Sequence, residues 1–393
     1  MDAHQNAMKD VAAIKLRDPL VLNEKIFSLS GVWPQQHTRI LLKFTVIYLG
    51  LHVFMEYWDL MDVIGDLDMT VINILETMVA TSTYLGLLIV IRCSKQLEEV
   101  IVAMKREIAD DKTFENIEEK RLYMSYNIIC CRFGKCATIA SFVTIALMYC
   151  RPLIDLLASS DLGNGTIPYV LPFRAHLIFD YKKPPLYALV YLYQLPVTYI
   201  PMYHVAEVSF IVNTVLHLCA KLSILSYRIR NIGVKSSRSF QDGIRQSVTM
   251  HLELTRLSNT LNGSFYVILL LELMSCGFRL GLALYVVLIK ISTEPVVAYN
   301  FLVHAADVAA YLYLYSYIGE QLMYESRMVG EAFYDINWPE VASNDRKALL
   351  MCMMNGQRTM YITAGKSYIF SLFGFTGIVR TSMACLSMLR ARM

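Results

Sequence analysis

The sequence FYVILLLELMSCGFRLGLALYVVLIKI, from Phe265 to Ile291, is long and apolar enough to cross a lipid bilayer as one helix. A helix rises about 1.5 Å per residue, so about 20 apolar residues cross the roughly 30 Å hydrocarbon core. The sequence therefore predicts an all-α membrane protein with seven transmembrane helices. The other six predicted spans are Ile40–Leu60, Met69–Ile91, Cys136–Leu157, Leu186–Leu218, Val296–Ile318 and about Tyr368–Leu389.

The composition agrees with a membrane protein. Of 393 residues, 55% are hydrophobic and 18% are charged, whereas about a quarter of a soluble domain is charged. The net charge of +3, from 36 Lys and Arg against 33 Asp and Glu, is too balanced to indicate a nucleic-acid partner. The sequence also lacks phosphate-loop, zinc-protease and serine-hydrolase motifs, so we expect neither an enzyme nor a bound cofactor or metal.

The distribution of basic residues predicts the orientation of the chain, because cytoplasmic connections carry the excess of Lys and Arg. Segments 1–39, 92–135, 219–262 and 319–366 together contain 26 Lys and Arg, and the opposite side contains five, which are Arg151, Arg174, Lys182, Lys183 and Lys290. We therefore expect a cytoplasmic N-terminus and an extracellular C-terminus. No pattern of a cleavable signal precedes the first span, so that span is expected to set the topology.

The sequence has two N-glycosylation sequons, which the predicted topology separates. Asn164-Gly-Thr lies in an extracellular connection, and Asn262-Gly-Ser lies at the cytoplasmic end of the fifth span. We therefore expect glycosylation at Asn164 and not at Asn262.

Charged residues inside the spans are expensive in hydrocarbon and need an explanation. Glu56 lies near the end of the first span, where snorkelling of the side chain toward water would explain it. Glu272 and Arg279 are two helical turns apart and are expected to contact neighbouring helices. Arg380 lies within the last span, where a water-filled pore and a helix–helix contact are both open interpretations.

Two prolines are expected to shape the fourth span. Pro196 and Pro201 would free backbone carbonyls and bend the helix, which is a way to widen a cavity.

The stretch GEQLMYESRMVGEAFYDINWP, residues 319–339, follows the sixth predicted span. Its Gly-Glu, Glu-Ser, Ala-x-Tyr and Trp, in this order, resemble the signature of insect odorant receptors. The last span, FTGIVRTSMACLSMLR at 375–390, resembles the final helix of that family, and Gly31-Val-Trp-Pro34 resembles a motif of bee, wasp and ant members. Gly374-Phe375 stands where the related gustatory receptors carry Gln-Phe, which favours the odorant branch. The short Cys219–Asn262 connection favours a ligand-tuning subunit over the longer shared co-receptor.

This resemblance implies a non-selective cation channel that a small volatile odorant opens, built as a heterotetramer with the odorant co-receptor. It implies a location in the lipid bilayer of the plasma membrane, in the dendrites of olfactory sensory neurons. It also divides the chain into a cytoplasmic segment 1–39, six helices with a ligand pocket over 40–318, a cytoplasmic anchor segment 319–366 and a pore helix 367–393. The anchor is expected to contain a short helix at about Val341–Met360.

The resemblance further implies site residues. The ligand-binding candidates, in the outer halves of spans two, three, four and six, are Met78, Ser82, Phe142, Ala146, Tyr149, Tyr191, Tyr199, Met202, Tyr299 and Phe301. The pore candidates are Arg380, Cys385, Met388 and Leu389. Two alternatives remain open from the residues themselves. They are a gustatory-type chemoreceptor channel and a non-conducting membrane receptor that signals through another protein.

Overall fold

The computed structural model describes residues 15–35, 38–110, 113–161, 169–177, 179, 183–233, 237–343 and 345–392. Most of these residues are helical, and two very short strands form the one exception to the all-α prediction among them. The described elements are α1 (Val21–Leu29), α2 (Arg39–Val63), α3 (Leu67–Arg92), α4 (Ser94–Ala109), α5 (Ile117–Asp161), α6 (Pro184–Tyr193), a 3-10 turn (Leu195–Thr198), α7 (Tyr199–Arg230), α8 (Ser237–Lys290), α9 (Pro295–Tyr334), a 3-10 turn (Trp338–Glu340), α10 (Arg346–Gly356), β1 (Thr363–Ala364), β2 (Tyr368–Ile369) and α11 (Leu372–Arg392).

Six stretches of the described chain are long and apolar enough to cross a membrane, and they cover the first six predicted spans except residues 155–157 of the third and Ile291 of the fifth. The last predicted span corresponds to helix α11, which is not among these six stretches. The six stretches are Arg39–Val63, Met69–Arg92, Ile117–Ile154, Pro184–Arg230, Arg238–Lys290 and Pro295–Tyr334.

The helices extend well beyond the predicted spans. Helix α5 has 45 residues and α8 has 54, so much of the sequence between 92 and 135 and between 219 and 262 is helical. Treating these basic segments as plain connections was therefore wrong. They are rich in Lys, Arg, Glu and Gln, which are good helix formers, and hydropathy alone does not detect them.

The effect of the prolines in the fourth span is partly as predicted. The helix stops at Tyr193, passes through a 3-10 turn containing Pro196, and resumes at Tyr199. Pro201 lies in the first turn of α7 and does not bend it, because backbone N–H groups there have no partner within the helix.

The last predicted span begins later than expected. Tyr368 and Ile369 form strand β2, which pairs antiparallel with β1, so that Thr363 faces Ile369 and Ala364 faces Tyr368. Helix α11 starts only at Leu372. The turn between the strands contains two successive residues with positive φ, Gly365 at 60° and Lys366 at 64°.

The short anchor helix is confirmed, although it is shorter than predicted. Helix α10 covers Arg346–Gly356 rather than the whole of 341–360. Leu349 and Cys352 are buried, and burial raises the pKa of the Cys352 thiol. Met351 and Met354 are exposed, so the helix is amphipathic. Its exposed apolar strip is not covered by the rest of this chain.

The chain forms two compact units, which are described separately. The first unit comprises Met1–Leu20, Cys93–Arg132 and Phe210–Met393, and the second comprises Val21–Arg92 and Phe133–Ser209. In the first unit, Cys276 and Leu280 of α8 pack with Val308 and Leu312 of α9, and Phe375 of α11 packs against this cluster.

The buried charges in the spans only partly follow the sequence prediction. Glu272 and Arg279 are both buried, as a structural role requires. Glu56 is 5% exposed, and its carboxylate lies 3.2 Å from Nε2 of the fully buried His52. Snorkelling was therefore the wrong interpretation for Glu56, because α2 continues to Val63 and carries the carboxylate two turns from the end of the helix.

Candidate functional site

A pair of tyrosines joins α5 to α6 in the second unit. The ring centroids of Tyr149 and Tyr191 are 4.7 Å apart. The Tyr149 hydroxyl donates to the carbonyl of Tyr191 at 2.8 Å, and the Tyr191 hydroxyl donates to the carbonyl of Tyr149. These are two of the ten predicted ligand-binding residues, and the structure brings them into direct contact.

The break near Pro196 explains why tyrosines collect here. Because α6 ends at Tyr193, the carbonyls of its last turn have no partner within the helix. Tyrosine hydroxyls reach two of them, since Tyr149 binds the carbonyl of Tyr191 and Tyr48 binds that of Tyr193 at 2.5 Å. The same proline that breaks the helix therefore creates the acceptors that hold the aromatic rings in place.

Three further tyrosines extend this group, and the sequence did not single them out. Tyr48 of α2 packs against Tyr193 with ring centroids 5.4 Å apart, and Tyr187 packs against Tyr191 at 5.7 Å. The one available signal was the recurrence of tyrosine at 187, 191 and 193 beside a proline break. We call Tyr48, Tyr149, Tyr187, Tyr191 and Tyr193 the tyrosine cluster.

The segment 169–177 is anchored beside the tyrosine cluster, which the sequence also did not predict. The fully buried Gln194 donates to the carbonyl of Phe173 at 2.7 Å and accepts from its N–H at 3.2 Å. The Tyr187 hydroxyl donates to the carbonyl of Val170 at 2.8 Å, and the His176 N–H donates to the carbonyl of Met55 at 3.2 Å. The cluster hydroxyls are thus used for structure, and the ring faces are left for apolar contacts.

The other candidates in the second unit have varied environments. Tyr199 donates to Ser30 Oγ at 2.7 Å, packs against Tyr203, and thereby holds the chain after α1. Ser82 is buried, and its hydroxyl donates to the carbonyl of Val79 in its own helix. Phe142 is 64% exposed. Met78, Ala146 and Met202 are half-buried.

Two ligand-binding candidates belong to the first unit. Tyr299 is 65% exposed, and Phe301 packs against the α8–α9 core. The predicted glycosylation site, Asn164, lies outside the described residues.

Two cavities, of about 580 and 330 Å³, also lie in the first unit. Arg228 and Asp242 line both cavities, and Lys221, Arg245 and Glu253 line the larger one. This charged lining suits polar molecules. We therefore do not assign these cavities to an apolar volatile ligand.

Helix α11 is packed along one side only in the single chain. Phe375 and Ile378 contact the α8–α9 core, whereas Thr376, Arg380 and Thr381 are exposed. The backbones of Cys385, Met388 and Leu389 belong to this helix, but their side chains lie outside the described part of the structure.

The stretch 319–339 acquires a physical role in the structure, because residues of α9 hold the segment that leads into α11. The Glu320 carboxylate accepts from the N–H of Leu372, the first residue of α11, at 3.1 Å. Ser326 Oγ accepts from the N–H of Met360 at 2.9 Å. Gly319 allows the carbonyl of Phe370 to approach closely, since a Cβ at residue 319 would collide with it.

Known receptors resemble this chain in sequence over much of its length. A family model described as 7tm Odorant receptor matches residues 70–383. Odorant receptor 82a of Drosophila melanogaster is 24% identical over 56% of this chain and 57% of its own length. Odorant receptor 9a of the same fly is 22% identical over 78% and 74%, and Or2 of Anopheles gambiae is 23% identical over 54% and 58%. The chain thus spans less than two thirds of two of these three relatives.

A solved structure shares the fold. The olfactory receptor OR5 from Machilis hrabei superposes with a TM-score of 0.75 and 11% identity, over 93% of this chain and 96% of that receptor. Its complex with eugenol gives the same TM-score over both full chains. Because the family model covers most of the sequence and the fold agrees, the chain belongs to the 7tm odorant receptor family.

Proposed function

We propose that this chain is the ligand-tuning subunit of an odorant-gated, non-selective cation channel, formed as a heterotetramer with the odorant co-receptor. It would act in the plasma membrane of olfactory sensory neuron dendrites and bind a small volatile molecule. The observation that carries this proposal is helix α11, which exposes Thr376, Arg380 and Thr381 outside the single chain.

A helix with this composition needs a polar neighbour. An arginine and hydroxyl side chains facing lipid would cost several kcal/mol in hydrocarbon, whereas a pore or a subunit contact offers water and hydrogen-bond partners. Helix α11 also has an apolar side, which packs on α8 and α9. This two-sided character supports a helix that lines a pore between subunits, with Cys385, Met388 and Leu389 proposed near its outer end.

In this channel subunit α11 is the seventh span, with the N-terminus in the cytoplasm and the C-terminus outside. Neighbouring subunits rather than lipid would then cover its polar side. The distribution of Lys and Arg supports this orientation. Gly31-Val-Trp-Pro34 supports a relationship to bee, wasp and ant receptors.

The proposed ligand pocket lies around Tyr149 and Tyr191, in the outer halves of spans two, three and four. Aromatic ring faces give shape-tolerant apolar contacts that suit small volatile molecules. The Machilis receptor of the same fold was solved with eugenol, which supports a small organic ligand here.

The proposal is tested by recording whole-cell current from cells that express the chain with and without the co-receptor. Volatile application should evoke a current only when both subunits are present, and the current should persist when the pipette contains GDP-β-S, which blocks G-protein signalling. A current abolished by GDP-β-S would instead indicate a receptor that signals through another protein.

The topology predicts glycosylation at Asn164 and not at Asn262. Glycosidase treatment should increase the gel mobility of the wild type and of Asn262→Gln, and should leave Asn164→Gln unchanged. Asn262 has a structural role as well, because its Oδ1 accepts hydrogen bonds from Thr363. An Asn164→Gln protein that still shifts while Asn262→Gln does not would reverse the orientation.

Tyr149→Ala is expected to shift odorant sensitivity or rank order at normal surface expression. Tyr149 is half-buried, and losing its ring removes packing, part of which the ligand would feel. Tyr199→Ala is expected to act in the same direction, and Tyr199→Phe separates the effect of its hydroxyl bond to Ser30. Tyr324→Ala, at a 54% exposed position, is the control. Dose–response curves that match this control for both alanine variants would place the pocket elsewhere.

A further inference from the structure

The short hairpin β1–β2 is bound to helix α8 through Asn262 and Tyr266. Asn262 Oδ1 accepts two hydrogen bonds from Thr363, one from its N–H at 2.9 Å and one from its hydroxyl at 3.0 Å. One helical turn further along α8, the carbonyl of Tyr266 accepts from the N–H of Gly365 at 2.9 Å. The Lys366 ammonium lies 5.0 Å from the centroid of the Tyr266 ring. Thr363, Gly365 and Lys366 therefore all contact α8.

The turn of this hairpin is strained. Lys366 has a φ of 64°, in the left-handed region that side chains other than glycine rarely adopt, and it is the only such non-glycine residue in the described chain. Gly365 precedes it with a φ of 60°, and a Cβ there would lie 3.0 Å from Leu270 of α8. Such a conformation persists only where the surroundings hold it, and Asn262 and Tyr266 are those surroundings.

Helix α9 holds the same segment at both of its ends. Ser326 accepts from the N–H of Met360, three residues before β1, and Glu320 accepts from the N–H of Leu372, three residues after β2. The strained hairpin is thus attached to α8 in its centre and to α9 at its ends, and α11 follows it directly. A relative movement of α8 and α9 therefore cannot leave the first turn of α11 unchanged.

We infer that Asn262 is a positioning residue of the channel, which fixes the hairpin to α8 and so couples movement of α8 to the helix that follows. This inference rests on the proposed function, since it assumes that α11 lines a conducting pore. Asn262 touches neither the proposed ligand site nor the described part of α11, so it acts through Thr363.

The chemistry of the contact defines the variants. Both hydrogen bonds use the side-chain oxygen, so Asn262→Asp keeps the acceptor and Asn262→Ala removes it. Thr363→Val removes the hydroxyl donor and keeps the backbone donor. Asn355→Ala is the matched control, because the Asn355 side chain is exposed and donates only to Met351 of its own helix at 3.0 Å.

The experiment records currents from each variant with the co-receptor, using eugenol and a set of straight-chain alcohols, aldehydes and acetate esters as probes. Surface labelling first selects cells with matched expression. In Asn262→Ala the half-maximal concentration should shift about three- to tenfold for every active probe, as expected when the two lost hydrogen bonds contribute only part of their strength to channel opening. Rank order and reversal potential should stay unchanged. The half-maximal concentrations of Asn262→Asp and Asn355→Ala should match that of the wild type. The value for Thr363→Val should lie between those of the wild type and Asn262→Ala.

A wild-type current together with an unshifted Asn262→Ala would overturn the inference and leave the channel function intact. A shift confined to one probe would also overturn it, because that result would place Asn262 at a ligand site. No current from the wild type with the co-receptor, at confirmed surface expression and for every probe, would contradict the proposed function and, with it, the basis of this inference. If Asn262→Ala does not reach the cell surface, Asn262→Asp and Thr363→Val are compared with the wild type instead. Equal dose–response curves for Thr363→Val and the wild type would then overturn the inference.

Discussion

Glutamate in place of Met388 or Leu389 is expected to change divalent-cation permeation or block in the complex with the co-receptor, while odorant rank order stays the same. A carboxylate about 8 Å from a permeating ion, at an effective dielectric constant of about 20, attracts a monovalent cation by ~2 kcal/mol and a divalent cation by twice that. The effect should therefore be large for Ca²⁺ and smaller for Na⁺. Reversal potentials in solutions of high and low Ca²⁺ measure this change in permeation.

Arg380→Gln is the comparison for these variants. Arg380 and Met388 are eight residues apart, which places them about 80° apart around a helix, so only one of them points straight down a pore axis. If Arg380 faces a helix contact, its loss should lower surface expression and leave permeation unchanged. Met388→Glu and Leu389→Glu channels with wild-type reversal potentials and block, at matched expression, would show that this helix does not set the pore.

Gly330→Ala is expected to destabilise the anchor segment strongly. A Cβ on Gly330 of α9 would lie 2.7 Å from the carbonyl oxygen of Gly356, at the end of α10, and a Cβ on Gly356 would lie 2.8 Å from Cα of Gly330. These are backbone atoms, so no side-chain rotation relieves the collision and the two helices must separate. The cost should be about 3 kcal/mol, at the upper end for overpacked sites.

Gly277→Ala on α8 is the matched control, because a Cβ there meets no atom within 4 Å. In a helix, alanine is otherwise about 1 kcal/mol better than glycine, so the control should be neutral or slightly stabilised. Thermal melting followed by fluorescence-detected size-exclusion chromatography compares the two proteins. Equal melting of the two variants would mean that α9 and α10 do not depend on this close approach.

Much of the fold could be predicted from composition, because a stretch of about 20 apolar residues has few structural options in hydrocarbon. The hairpin could not be predicted in the same way. Tyr368 and Ile369 belong to the predicted span, and what keeps the helix from starting there is the turn with the left-handed residues Gly365 and Lys366, in a hairpin held by contacts to α8. Such tertiary contacts leave no periodicity in the sequence.

The candidate site likewise contains residues that could be predicted from the sequence and residues that could not. Tyr149 and Tyr191 were predicted through the family resemblance, whereas Tyr48 and Gln194 were not. Their roles depend on carbonyls freed by the break at Pro196 and on the path of the segment 169–177, and both are long-range features. Glu56 was misread because the sequence does not reveal that α2 extends to Val63.

If the chain and the co-receptor together form a ligand-gated cation channel, conduction needs no other protein. Reconstituting the two purified subunits in planar lipid bilayers, with no other protein present, tests it most directly. We expect unitary cation currents when eugenol or another active volatile is added, and none from this chain alone. Reconstituted complexes that bind the volatile, as seen by quenching of tryptophan fluorescence, but never conduct would contradict it.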